Sequence, residues 1–361
     1  MEHTLSPLPP NPGYSDRLNQ SGQGWRSTDS PRLLFGSEIS MITRRSFMRS
    51  ASALVAVGSV TGSGTLAIAK APLKDFQAPG FYRMKIGRIE ITALSDGTLK
   101  LPLADLYTNT THEHAREAMD AAFLGTPTDT SVNAFLANTG ERLVLIDAGT
   151  GKYLGGALGR LTINLKEAGY SVSDVDDVIL THIHTDHSGG LSDSGQPVFP
   201  NATLHVNRRD FEFWMKTPAD KRPKNVPPQM FTEAADSLAP YLKADKVRLF
   251  DDNQDVLPGF GSILRAGHTP GHSSIVVEDA GQKIVFWGDI THGDVLQFDE
   301  PGVAIEFDTD QAQAVQAREA AFKEAAEQKY LVAGAHIAFP GIGHMRRDET
   351  NYDWVPLNYA L

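Results

Sequence analysis

The chain of 361 residues contains no cysteine. That absence removes disulfides, thiolate metal ligands and cysteine nucleophiles together, so any metal has to be held by histidine and carboxylate. Positive charge is in short supply as well: Lys and Arg number 33 against 44 Asp and Glu, a formal net charge of −11. Such a balance repels phosphate backbones and argues against a nucleic-acid partner. No uninterrupted apolar run of ~20 residues is available to cross a bilayer, because the greasy stretch after Met41 is broken by Gly58, Ser59, Thr61, Gly62, Ser63 and Gly64. Stable membrane insertion is therefore not expected. A G-x-S-x-G nucleophile elbow is missing, and Gly149-Thr150-Gly151 lacks the spacing of a dinucleotide fingerprint.

What is present begins with an uneven N-terminal region. Residues 1–40 are rich in Pro, Gly, Ser and Asn and show no apolar period, which reads as a disordered extension. From Met41 the order changes to paired Arg44 and Arg45, a small-residue apolar stretch, then Ala67-Ile68-Ala69. That order is the pattern of a twin-arginine export signal over residues 41–71, and it places the product in the periplasm or beyond. Signals of this kind open a chain, so Met41 is the expected initiation site and residues 1–40 a mis-called start. Residues 72–361 carry no long linker, repeat or low-complexity block, as expected of one layered domain.

Within that domain, short apolar runs stop abruptly at polar residues. Leu143 to Ile146 stops at Asp147, Val178 to Leu180 stops just before His182, and Ile284 to Trp287 stops before Asp289; Ile263-Leu264 leads to His268 and Leu331 to Ala333 leads to His336. These read as buried strands, each delivering a His or Asp at its C-terminal end. Leu154, Leu158, Leu161 and Leu165 share one face of a helix expected over Tyr153–Ala168, stopped by Gly169. Asp308 is the expected cap of a second helix running to Gln328. The basic, Pro-rich segment from Lys216 to Lys224 reads as a solvated loop, with a lid as the alternative.

The chemistry concentrates in Thr181-His182-Ile183-His184-Thr185-Asp186-His187-Ser188-Gly189-Gly190. His182 and His184, two apart after a strand, turn to the same side of an extended backbone. Asp186 and His187 follow as the chain turns. A metal accounts for such a cluster, yet needs more ligands than one loop can aim. His268, Asp289 and His336 are the candidates from the other strand ends.

HIHTDH resembles the HxHxDH signature of the metallo-β-lactamase superfamily, with His268, Asp289 and His336 where that superfamily places its later ligands. The resemblance implies an α/β fold, a four-layer αββα sandwich, holding two divalent ions: His182, His184 and His268 on the first, Asp186, His187 and His336 on the second, and Asp289 bridging. Zinc is the default for imidazole-rich sites, and manganese, iron or cobalt also suit mixed sites. GHTPGHSS, Gln297-Phe298-Asp299, Phe339 to His344 and Val355 to Tyr359 are similar to the methyl parathion hydrolase family in particular. Likeness to it implies an aromatic pocket walled by Trp214 and Phe231, with Leu154 replacing a third aromatic, and a homodimer. Core packing is the competing role for Trp214 and Phe231. His272, His292 and His344 exceed the seven ligands and are read as supporting or surface residues; Asp147 is read as orienting an imidazole or closing a turn.

The expected activity is attack by a hydroxide shared between the ions on lactones, aryl esters or organophosphate triesters, small neutral and partly apolar substrates, with Asp186 orienting the nucleophile and Asp289 holding both ions. A β-lactamase is the rival enzyme; by resemblance those lack the bridging carboxylate. The ligand set is shared by RNA-processing nucleases, against which the charge speaks, and dioxygen reduction would bring a flavin domain. A periplasmic metal-binding protein without turnover is the non-enzymatic alternative.

Overall fold

The expected strands assemble into two seven-stranded sheets. In spatial order the first is β1 (Phe81–Ile86), β2 (Ile89–Leu101), β3 (Thr128–Asn138), β4 (Leu143–Ile146), β5 (Asp177–Ile179), β6 (Thr203–Asn207) and β7 (Val247–Phe250). The second is β8 (Asp255–Leu257), β9 (Phe260–Leu264), β10 (Ser273–Asp279), β11 (Gln282–His292), β12 (Leu331–His336), β13 (Ile342–Asp348) and β14 (Asn351–Pro356). The computed structural model describes residues 74, 76–349 and 351–360, so the expected extension 1–40 and export segment 41–71 lie outside the described residues. Leu73–Leu361 forms one unit. Among the described residues no helix is long and apolar enough to cross a membrane.

Strand alternation explains the layering. In β4, Val144 and Ile146 point into a core shared by both sheets, while Leu143 and Leu145 point the other way, onto helices. The inter-sheet core takes Ile91, Ala93 and Phe135 from the first sheet and Phe260, Ile275, Val277 and Phe286 from the second. Outside the first sheet, the helices Leu161–Glu167, Arg208–Lys216 and Pro228–Lys243 supply Leu165, Trp214, Phe231 and Leu238 to a second cluster. Outside the second sheet, the helix Gln311–Gln328 sets Ala321, Phe322 and Ala325 against Val285, Trp287 and Val332. The result is helix, sheet, sheet, helix, the αββα order expected.

Pairing fixes where the site falls. β4, β5, β6 and β7 run parallel to one another, as do β11 and β12, whereas the remaining neighbours are antiparallel. Parallel strands end at one edge: Leu180 to His182 follow β5 and His336 ends β12, whereas β11, expected to stop before Asp289, continues through it to His292.

Two helix expectations change. The helix expected from Tyr153 begins only at Leu161, and Leu154 sits in a turn with a φ of +63°. The reason is Asp96: its buried carboxylate accepts from the backbone N–H of Thr150 (2.9 Å), Gly159 (3.1 Å) and Leu161 (2.9 Å), and from the Thr150 hydroxyl (2.6 Å). Those bonds hold the segment in a loop, which a leucine spacing cannot reveal. The second helix is capped by Asp310, which accepts from the Gln313 N–H, while Asp308 has another partner described below. Replacing Asp96 with Ala strands three main-chain donors, and we expect a loss of about 3 kcal/mol. Denaturant unfolding would show it as a lowered midpoint; an unmoved midpoint contradicts the role.

Candidate metal centre

The ligand candidates come from the loop after β5, the segment after β9, the interior of β11 and the end of β12, and three of the imidazoles are aimed by a hydrogen bond on the far side of the ring. The loop after β5 runs through His182 to the short helix Thr185–Ser188, with His184 as its extended N-cap. Gly190 backs the loop against Ala148 so closely that a Cβ would sit 2.0 Å from the Ala148 carbonyl oxygen. Gly288, at φ +60°, lies beneath His272 and Thr181, where a Cβ would come within 2.6 Å of His272 Nε2. Both positions require glycine for the strands to close on the loop.

The outer bonds are specific. His187 Nδ1 donates to Asp147 Oδ2 (2.8 Å), His268 Nδ1 to Asp308 Oδ1 (2.9 Å), and His336 Nδ1 to the Ser131 carbonyl (2.8 Å). Asp147 is itself pinned by the Thr181 N–H and hydroxyl, so it performs both tasks proposed for it. A proton on Nδ1 leaves the Nε2 of each of these three rings turned inward, the arrangement by which protein groups orient metal-binding imidazoles. His272 is fixed at both ends: Nδ1 donates to the Arg265 carbonyl (3.0 Å) and Nε2 accepts the Asp289 N–H (2.9 Å). It supports Asp289 rather than joining the centre. His344 lies elsewhere, on β13, bonded to the Tyr330 carbonyl.

The inward atoms converge. His182, His184, His268 and Asp289 form one buried group able to hold a cation, and Asp186, His187 and His336 form another, with the ligand atoms of each group within 4.8 Å of one another. All seven residues named from the sequence are therefore brought together. Asp289 joins the groups: its Oδ2 is 3.1 Å from His268 Nε2 and 3.2 Å from His336 Nε2, and its Oδ1 is 3.0 Å from His187 Nε2. Asp186 Oδ2 is 3.3 Å from His336 Nε2. His182 Nε2, His187 Nε2 and Asp289 Oδ1 are buried without a hydrogen-bond partner among the described residues. Orphaned polar atoms at this density are costly unless something binds them, and imidazole nitrogens with carboxylate oxygens are the donor set of a divalent transition metal.

Electrostatics follows from crowding. Burial and neighbouring imidazoles hold His182 and His184 well below the ordinary range. Burial opposes protonation of His268 and His336 also, but the facing carboxylates outweigh it and lift them to about 9 and about 10. The same imidazoles, against the effect of burial, hold Asp186 and Asp289 below the carboxylate range. The carboxylates thus favour the protonated forms of His187, His268 and His336 in the metal-free centre, and a cation has to displace those protons.

Several supporting residues gave no signal in the sequence. Asp308, expected as a helix cap, orients His268. Asp210 is fully buried and accepts the N–H of Ile183 (2.8 Å) and of Gly271 (2.8 Å), tying the two ligand loops together. Glu233 accepts the Thr185 hydroxyl (2.5 Å). Only the fold shows that these acids face inward.

Of the expected pocket residues, Trp214 and Phe231 are each 2% exposed, their rings 4.8 Å apart, with Trp214 edge-on to His184 at 5.4 Å. That position is core packing, in the cluster outside the first sheet. Leu154 is 46% exposed in its turn. In the basic loop, Lys216, Lys221 and Lys224 are exposed and the Arg222 guanidinium lies over the Phe231 ring at 4.2 Å.

Residues 127–336 match the model of the metallo-β-lactamase superfamily, a span that contains all seven converging residues. The chain belongs to the metallo-β-lactamase superfamily. Among solved structures of this superfamily, the hydrolase AbOPH is 35% identical, with a TM-score of 0.75, over 79% of this chain and 100% of that one. AidC, described as a dizinc quorum-quenching lactonase in complex with a product, is 26% identical, with a TM-score of 0.73, over 78% of this chain and 99% of that one. An N-acyl homoserine lactonase of Bacillus cereus is 25% identical over 131 residues, 35% of this chain and 42% of the relative. The chain thus spans about two fifths of the length of that curated relative.

Two outcomes follow from the geometry. Zinc added to metal-free protein in weak buffer at neutral pH will release protons, and its affinity will fall as pH is lowered, because His268 and His336 are protonated in the metal-free centre. Uptake with no proton release, read with an indicator dye, contradicts this. Asp308→Ala, which frees His268 Nδ1, should weaken metal affinity about 10-fold to 100-fold by chelator competition; unchanged affinity would remove Asp308 from the centre.

Proposed function

We propose that this chain is a hydrolase that uses two divalent cations, zinc first among them, to open lactones. The observation that carries the reading is the convergence of His182, His184, His268 and Asp289 beside Asp186, His187 and His336, all but Asp186 buried, with His182 Nε2, His187 Nε2 and Asp289 Oδ1 unpartnered among the described residues. Support for lactones comes from the likeness to AidC along nearly its whole length. Aryl esters and organophosphate triesters share the neutral, partly apolar character, and the flanking motifs noted above favour the methyl parathion hydrolase branch as a narrower proposal.

Held by these residues, a cation pair would withdraw charge from a carbonyl or phosphoryl oxygen and would lower the pKa of bound water toward neutrality. The protein's own groups do the positioning. Asp289, its backbone held by His272, presents one carboxylate oxygen toward His187 and the other toward His268 and His336, so a single side chain serves both cation positions. Asp186, whose side chain is 17% exposed against 0–7% for the imidazoles and 2% for Asp289, is the ligand carboxylate nearest solvent and is placed to orient an attacking water. Trp214 and Phe231 pack behind His184, Trp214 edge-on to its ring, and back that side of the centre with apolar side chains. Nothing in this scheme requires a protein nucleophile. The export route read from residues 41–71 belongs to the same proposal: a twin-arginine path carries folded chains, with metals already loaded.

The test is a substrate panel of lactones, aryl esters, phosphotriesters and cephalosporins with the metal-loaded protein. Lactone turnover is expected to dominate. Turnover of cephalosporins alone supports the β-lactamase alternative, and full metal occupancy with no turnover supports a metal-binding protein. Asp289→Asn is expected to lower metal content and abolish hydrolysis; full activity in that variant contradicts the shared role of this carboxylate.

A further inference from the structure

Five imidazole nitrogens lie within 4 Å of the Asp289 carboxylate, and one belongs to neither ligand group of the two-cation reading, on which this inference rests. His182, His187, His268 and His336 are accounted for. His292 is not, yet its Nε2 lies 3.2 Å from Asp289 Oδ2, as near as that of His336.

The placement of His292 is tightly determined. It ends β11 directly opposite His336 of β12 in the register, and the two rings stack at 5.1 Å with planes 19° apart. Its backbone N–H donates to Gln297 Oε1 (2.7 Å), and its carbonyl accepts the Tyr107 hydroxyl. The residue is 2% exposed, and its Nδ1 is buried with no partner among the described residues. A neutral imidazole carries one N–H. Placed on Nδ1, that proton has no acceptor and the Nε2 lone pair faces a carboxylate; placed on Nε2, it donates to Asp289. Asp289, His292 and His336 also form a group with ligand atoms within 4.8 Å, but Asp289 and His336 already serve the two groups described above.

We infer that His292 is a positioning residue whose Nε2–H donates to Asp289 Oδ2 and fixes the carboxylate shared by both cation positions, without itself binding metal. The sequence reads His292 as a supporting or surface residue beyond the seven ligands, and its spacing does not name the partner it supports.

Cobalt(II) is the probe, added to the purified full chain. His292→Phe keeps a flat ring against His336 and deletes the donor; His292→Gln restores an amide N–H near the position of Nε2. We expect the Phe variant to bind two cobalt ions with affinity weakened about 10-fold to 100-fold by chelator competition and with shifted visible d–d bands. The Gln variant should recover most of the affinity and the original bands. Wild-type behaviour in both variants overturns the inference, as does loss of one cobalt per chain in both, which would make His292 a ligand. Should the Phe variant fail to fold, Tyr107→Phe, which loosens the His292 carbonyl, should weaken cobalt binding at unchanged stoichiometry; unaltered affinity overturns the inference. No readout here involves a substrate, so failure leaves the hydrolase reading untouched, whereas a wild-type chain that binds no cobalt sinks both.

Discussion

The structure depends on one electrostatic constraint: Asp289, buried where strands of the second sheet end, lies within about 4 Å of imidazoles from three separate chain segments. A lone carboxylate there would be expelled or protonated by burial, and a lone cluster of imidazoles would stay neutral. Together they hold each other in charged forms, which is why His187, His268 and His336 rise and Asp289 falls. Such a balance is stable only with positive charge at its centre, whether protons or cations. The loops can close on it because Gly190 and Gly288 let backbones approach where a side chain would collide.

Rigidity comes from the layer behind the inward atoms. Asp147, Asp308 and the Ser131 carbonyl each take one imidazole proton, His272 takes the Asp289 N–H, and Asp210 bonds both ligand loops. These partners come from both sheets and from helices on the first, so the αββα packing and the site geometry are one arrangement. Burial of Val144, Ile146, Phe286 and Ala333 between the sheets sets the strand ends, and the strand ends set the ligand positions.

Much of this was legible in the sequence because it is local. HIHTDH is a contiguous motif, and short continuous apolar runs bounded by polar residues mark buried strands such as Leu143–Ile146 and Leu331–His336. The four-layer order and the superfamily followed from the same residues. What escaped is long-range. Asp96 turns an apparent helix over 153–160 into a loop through bonds spanning more than 50 residues. Asp308 looks like a cap but reaches His268, leaving the capping to Asp310. His292 is three residues from Asp289, yet its role depends on its register with His336.

Anomalous diffraction from crystals of the zinc-loaded chain tests the central claim most directly. The account requires two anomalous peaks, one among His182, His184 and His268 and the other among Asp186, His187 and His336, with Asp289 touching both. A single peak, or peaks that Asp289 does not join, would contradict it.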